Sequence, residues 1–163
     1  MTPHNGKLRN MASIYLRKDD KVLLLYRQGN SIVSNTWIGS AGGHFERDDL
    51  NNAQACVLRE LEEELGLTIS NLQNLSLRYI TLRYTDGEIR QNYYFFANLA
   101  NDFDCKFVSN EGITRWYRLT ELDALTMPFT ARHMINHYLT VGQFDDSLYG
   151  GLANHDSVYF EKL

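Results

Sequence analysis

The sequence predicts an α/β or α+β sandwich, a mixed sheet with helices laid against it, and three observations carry that reading. Apolar residues recur at helical spacing through one long segment, Leu50 to Leu65. Strand-like runs precede and follow that segment, and the clearest of them form a hairpin around Asp86-Gly87. A second helical pattern, Thr130 to Val141, follows Pro128.

In chain order, Met11 to Arg17 and Lys21 to Arg27 read as two strands joined at Asp19-Asp20. The run Val22-Leu23-Leu24-Leu25-Tyr26 is apolar throughout, as expected of a strand covered on both faces. A polar loop leads to Trp37 and then to Gly39-Ser40-Ala41-Gly42-Gly43. In the long helix, Ala53, Val57, Leu58, Leu61 and Leu65 form the buried stripe, with Asp49 as the expected N-cap and Gly66 as the C-cap. Leu75 to Thr85 and Ile89 to Leu99 are the hairpin strands, Trp116 to Leu119 is a further short strand, and Leu119 to Leu122 starts a short helix. No pattern is assigned to Gly142 to Leu163. Without repeats or a Pro/Gly/Ser linker, one domain over 1–163 is expected, with a core from 11 to 140 and a C-terminal extension from 142 to 163.

A net charge of −4 argues against a broad nucleic-acid surface, which needs an excess of Lys and Arg. It leaves room for a phosphorylated small molecule, since a bound cation supplies positive charge locally. Cys56 and Cys105 lack metal-ligand spacing and read as free thiols in a reducing compartment. The start of the chain carries no signal-like apolar run, and no stretch reaches the roughly 20 apolar residues of a membrane span. A cytoplasmic location is expected.

Chemistry is concentrated in Arg59-Glu60-Leu61-Glu62-Glu63-Glu64-Leu65-Gly66-Leu67. At about 100° per helical residue, Glu60, Glu63 and Glu64 project from one side and Glu62 from another. Crowded carboxylates repel one another, unless a hard divalent cation such as Mg²⁺ or Mn²⁺ takes their oxygens as ligands. Arg59, four residues before Glu63, is placed to orient or neutralise that carboxylate. A merely solvated acidic face is the alternative. The glycines on either side of the cluster, Gly42-Gly43 and Gly66, favour the cation, because glycine lets a backbone approach a metal or phosphate closely.

Residues 43 to 67 resemble the Nudix box, G-x5-E-x7-R-E-U-x-E-E-x-G-U with U a bulky aliphatic residue. Arg59, Glu60, Leu61, Glu63, Glu64, Gly66 and Leu67 match every specified position of its second half. Gly42-Gly43-His44-Phe45-Glu46 resembles its start, although Ala41 stands where many members have proline. The step from Gly43 to Arg59 is two residues longer than the pattern. Counted back from Arg59, the first Glu of the box falls on Asn51; counted forward from Gly43, it falls on Asp49. In the family that Glu braces the loop and the box Arg, a task open to Asp49.

The resemblance implies the Nudix α/β/α sandwich with a mixed sheet and a catalytic helix. It also implies metal-dependent hydrolysis of a diphosphate bond, with Mg²⁺ as cofactor and Mn²⁺ as a substitute. The implied metal ligands are the Gly43 carbonyl, Glu60, Glu63, Glu64 and Glu111. The implied catalytic groups are Glu60, Glu63, Arg59 and Glu111, with either Glu60 or Glu63 accepting the proton of the attacking water. Arg27, His44 and Phe129 are the expected substrate contacts.

Within the family the chain is most similar to MutT-like members, through Glu111 to Trp116 and Met127-Pro128-Phe129-Thr130. That likeness implies 8-oxo-dGTP as a substrate. Ala131 and Arg132 stand near the place where the MutT pattern has a base-reading Asn, however. Dinucleoside polyphosphates, with Tyr84 as the supporting residue, and ADP-ribose are the alternative substrates, and a ligand-sensing module without turnover is the alternative function. The expected partner is a small nucleotide, with neither a nucleic-acid polymer nor a membrane, and the aromatic hairpin is a candidate homodimer surface.

Overall fold

A computed structural model describes residues 7–27, 35–100 and 112–163. Its centre is β1 (Lys7–Lys18), which runs parallel to β6 (Glu88–Leu99) along one side. On its other side β1 divides its partners. Residues 16–18 pair with β2 (Lys21–Arg27), and residues 11–14 pair with β4 (Ala41–His44). β2 also pairs with β3 (Thr36–Ile38) and β7 (Gly112–Arg118). Beyond β6 lie β5 (Leu72–Thr85), β8 (Tyr149–Ala153) and β9 (Val158–Lys162), giving the order β3-β2-β1-β6-β5-β8-β9. β1–β6 and β5–β8 are parallel and the other pairs antiparallel, so the sheet is mixed, as expected.

Strand alternation feeds two cores. Ala12, Ile14 and Leu16 of β1, Leu23 of β2, and Phe95, Ala97 and Leu99 of β6 pack with Cys56, Val57 and Leu61 of α1 (Ala53–Leu65). The intervening residues Tyr15, Val22, Leu24, Tyr94 and Phe96 pack with Met134, Ile135 and Tyr138 of α2 (Phe129–Thr140). Both faces of the central strands are therefore dry, which accounts for the uninterrupted apolar run in β2. The hairpin aromatics Tyr79, Tyr94, Phe95 and Phe96 are spent inside these cores, while Tyr84 is exposed.

Local signals set the element ends. The β5–β6 hairpin turns on Asp86 and Gly87, both at positive φ (52° and 75°), as a two-residue turn of the favoured hand requires. Gly66 ends α1 in the left-handed region (φ 68°) and its N–H caps the Glu62 carbonyl. The start of α1 differs from expectation. Asn52 is the N-cap, its side chain accepting from the Ala55 N–H, and Leu50 lies exposed in the preceding turn. Asp49 is drawn elsewhere, as described below. The residues 142–163, unassigned from sequence, contribute β8 and β9, which extend the sheet past β5. Short strands with Gly150-Gly151 inside carry too little alternation to be read in advance. Among the described residues no helix is long and apolar enough to cross a membrane.

The fork in β1 is stitched by Ser40, which is fully buried. Its hydroxyl donates to the Leu23 carbonyl at 2.6 Å and accepts from the Leu16 N–H at 2.9 Å. This holds β1 and β2 together where β4 takes over. Ser40→Ala leaves a buried donor and acceptor without this bridge, and it is expected to lower unfolding stability by about 1–3 kcal/mol in a denaturant titration.

Candidate active site

Arg59 projects from the second turn of α1 into a ring of oxygens. Its Nη2 donates to Asp49 Oδ2 at 2.7 Å and to the His44 carbonyl at 3.3 Å. Its Nη1 donates to Glu60 Oε1 at 2.9 Å and to Glu63 Oε2 at 3.5 Å, with Glu46 Oε1 also 3.5 Å away. One guanidinium therefore ties the helix to the end of β4 and to the loop between them.

The loop itself is built around Asp49. A single 3₁₀ turn, Arg47–Asp49, brings the Asp49 carboxylate back to the Glu46 N–H at 2.8 Å. The following turn places Asn51 at φ 64° before α1 begins at Ala53. The two extra residues are absorbed there, and Asp49 rather than Asn51 occupies the bracing position. Asp49 is almost fully buried. Burial by itself raises its pKa, but the Glu46 N–H and the Arg59 guanidinium outweigh that, and the carboxyl titrates below its ordinary range.

Glu60 and Glu64 lie inside this arrangement, and Glu63 is largely exposed. Burial raises the Glu60 pKa, the Glu63 charge adds to the rise, and Arg59 and a hydrogen bond with Glu64 oppose it. Gly43 packs directly on Glu60: a Cβ at residue 43 would sit 2.5 Å from the Glu60 carboxyl carbon. The backbone of β4 thus reaches the carboxylate only because no side chain intervenes. Glu62 is exposed, as the helix phase requires. Among the described residues, no three carboxylate, imidazole or thiol groups close on one point, because Arg59 draws Glu60 and Glu63 toward itself. The oxygen-only donor set, with a half-buried carboxylate and a side-chain-free backbone approach, fits a hard divalent cation. Glu111 lies outside the described residues, as does Cys105. Burial and the nearby Asp49 charge push the Cys56 thiol up to about 12, so it stays protonated, as expected of a free buried thiol.

On the opposite side of the sheet a cavity of about 190 Å³ opens beside β4. Arg27, His44 and Phe129, the expected substrate contacts, all line it, and so do Gly42 and Ala131. His44 Nε2 lies 3.0 Å from Arg9 Nη2. A guanidinium can only donate, so Nε2 accepts and the imidazole is neutral with its proton on Nδ1. Burial, then the Arg9 and Arg27 charges, lower its pKa accordingly. Three cavity arginines, Arg9, Arg83 and Arg90, were not anticipated. The hairpin turn contained the clue, because a two-residue loop at Asp86-Gly87 sets Arg83 opposite Arg90. Arg9 precedes the expected start of its strand.

The NUDIX domain family profile matches residues 7–138, and the chain belongs to the Nudix family. Its fold is similar to the MutT protein of Bacillus halodurans, with 22% identity, TM-score 0.70, and 94% of this chain and 97% of that one covered. A Burkholderia pseudomallei MutT NUDIX hydrolase is 24% identical with TM-score 0.59, covering 82% and 97%. A Caenorhabditis elegans Ap4A hydrolase is 16% identical with TM-score 0.61, covering 81% and 96%. No curated protein sequence matches the chain. The protein is an enzyme of the Nudix hydrolase class, acting on a diphosphate bond with a divalent cation.

Two substitutions test the clamp. Gly43→Ala must displace the Glu60 carboxylate, and it is expected to reduce turnover by about 100-fold while the fold is retained by circular dichroism. Asp49→Asn is expected to lower the melting temperature at pH 7. The folded Asp49 pKa lies below its unfolded value of about 3.9, so its contribution is complete above that value and is lost as pH falls through the folded pKa. Melting curves of wild type and variant should therefore converge below about pH 4.

Proposed function

We propose that the protein hydrolyses a nucleoside triphosphate or a related nucleoside diphosphate derivative in the cytoplasm, with Mg²⁺ as the cation. The observation that carries this reading is the packing of Gly43 on Glu60 beneath the Arg59–Asp49 clamp. In it, the Gly43 carbonyl, Glu60, Glu63, Glu64 and Glu111 would hold the cation. When bound, the cation neutralises diphosphate oxygens and makes a water more acidic. Glu60 or Glu63 accepts the proton of the water that attacks phosphorus in line. Arg59 positions both carboxylates, since its Nη1 reaches each of them. Arg27, His44 and Phe129 contact the substrate from the cavity wall.

The likeness to MutT structures favours 8-oxo-dGTP as the substrate. Ala131 and Arg132 stand near the place where the MutT pattern has a base-reading Asn, and Ala131 lines the cavity; this favours a substrate read by other means, with a dinucleoside polyphosphate or ADP-ribose as the alternatives.

Phosphate release from 8-oxo-dGTP, the ordinary dNTPs, ADP-ribose and a dinucleoside polyphosphate, with Mg²⁺ or EDTA and with added pyrophosphatase, tests the reading. EDTA-sensitive turnover is expected, reduced about 10²–10⁴-fold by Glu60→Gln or Glu63→Gln, whichever removes the proton acceptor. Full activity in both variants overturns the metal helix. A folded protein that binds nucleotide without turning over any of the panel favours a ligand-sensing module.

A further inference from the structure

The cavity wall carries a charge pattern that the diphosphate chemistry leaves unused. Arg9 of β1 pairs in register with Arg90 of β6, and Arg90 pairs in turn with Arg83 of β5. The three arginines therefore form one row across three adjacent strands, and all three line the cavity. Neighbouring strands lie about 4.8 Å apart, and like charges directly opposite one another destabilise a sheet. The Arg9 and Arg90 side chains are only 33% and 27% exposed, so water screens little of that repulsion.

Compensation within the row is thin. Glu88 Oε2 is shared, 3.3 Å from Arg90 Nε and 3.7 Å from Arg9 Nη1. Asp86 reaches Arg90 only at 3.8 Å and is 85% exposed. Arg83 lies over the Phe129 ring, its Cζ 4.4 Å from the ring centroid. That contact holds the guanidinium at the cavity wall by a cation–π attraction, which does not use its N–H donors. With Arg27 the cavity is lined by four arginines and by no Asp or Glu among the described residues. A neutral base would meet this row with nothing to match its charge, whereas a phosphate would be held by paired guanidinium donors.

Distance separates the row from the diphosphate site. Gly43 pairs with Ala12, and the Arg9 backbone is three residues back along β1, about 10 Å at the rise of a strand, although its guanidinium reaches back to within 3.0 Å of His44 Nε2. We propose that the row Arg9–Arg90–Arg83 binds a second phosphate, on the cavity face of the sheet and away from the scissile diphosphate, and so selects substrates phosphorylated at their far end. The proposal rests on the hydrolase reading for the position of the scissile bond. The second phosphate has two chemical sources, a phosphate on the ribose 3′ oxygen or the distal end of a longer polyphosphate chain.

Equilibrium binding measured in EDTA, with neither metal nor turnover, separates them. One arm compares adenosine 5′-monophosphate with adenosine 3′,5′-bisphosphate, and the other compares adenosine 5′-diphosphate with adenosine 5′-tetraphosphate. The added phosphate is expected to tighten binding at least about tenfold in one arm. Arg90→Gln and Arg83→Gln should each remove most of that gain, and using two strands guards against a folding defect in either variant. A gain below about twofold in both arms, or one that survives both substitutions, overturns the proposal. Metal-dependent diphosphate turnover without any such gain overturns the row alone. A gain confined to the row, in a protein that turns over no diphosphate, keeps the anion site and removes the hydrolase reading.

Discussion

The guanidinium of Arg59 is the constraint on which the site depends. It is one cation among four carboxylates, and its two nitrogens face different ways: Nη2 toward Asp49 and the β4 backbone, Nη1 toward Glu60 and Glu63. Lysine would not substitute, since a single ammonium cannot hold two fixed directions at once. The Asp49 half is structural. It is buried, also held by the Glu46 N–H, and shifted toward its ionised form. The Glu60 half is the opposite. Burial raises the Glu60 pKa there, and the Arg59 guanidinium opposes that rise. The clamp thus fastens rigidly at one end and holds a carboxylate suited to a cation at the other.

Legibility in the sequence followed the strength of the local constraint. The β2 run and the Asp86-Gly87 turn were readable because burial on both faces and positive φ each restrict residue choice severely. The phase of α1, and hence the grouping of Glu60, Glu63 and Glu64, followed from helical geometry alone. The start of α1 did not. Asp49 and Asn52 are both good N-caps, and the choice between them was decided by a tertiary partner, Arg59, whose pull on Asp49 no local pattern contains. The same tertiary contact resolved the two-residue insertion. Counting from either end of the box gave different residues, and only the 3₁₀ turn with the left-handed Asn51 shows how the loop accommodates both.

The tail and the arginine row were missed for a different reason. β8 and β9 are short and glycine-containing, so their place beside β5 depends on a parallel pairing with a strand about 70 residues earlier in the chain. Arg9, Arg83 and Arg90 are unremarkable as single residues in separate segments. Only the combined registers of β1–β6 and β5–β6 put them side by side. Cross-strand coincidence of this kind is a property of topology, and one parallel pair is enough to hide it from a local reading.

The two halves of the site meet at the glycine pair of β4. Consecutive strand residues point to opposite faces, so Gly42 borders the arginine-lined cavity while Gly43 faces Glu60 beneath α1. A side chain at residue 42 would strike the Ala12 carbonyl at 2.5 Å, and one at residue 43 would strike the Glu60 carboxyl at the same distance. Both positions must be bare for β4 to sit this close to β1 and α1. The bareness has a chemical consequence as well. In the proposed reading, a substrate with its diphosphate at the carboxylates and its remainder in the cavity would pass this strand, where the glycine pair carries no side chain on either face. Separating the faces also separates their electrostatics: acidic side chains gather under α1 and arginines gather beside α2, so the two sets of charges do not neutralise each other across the sheet.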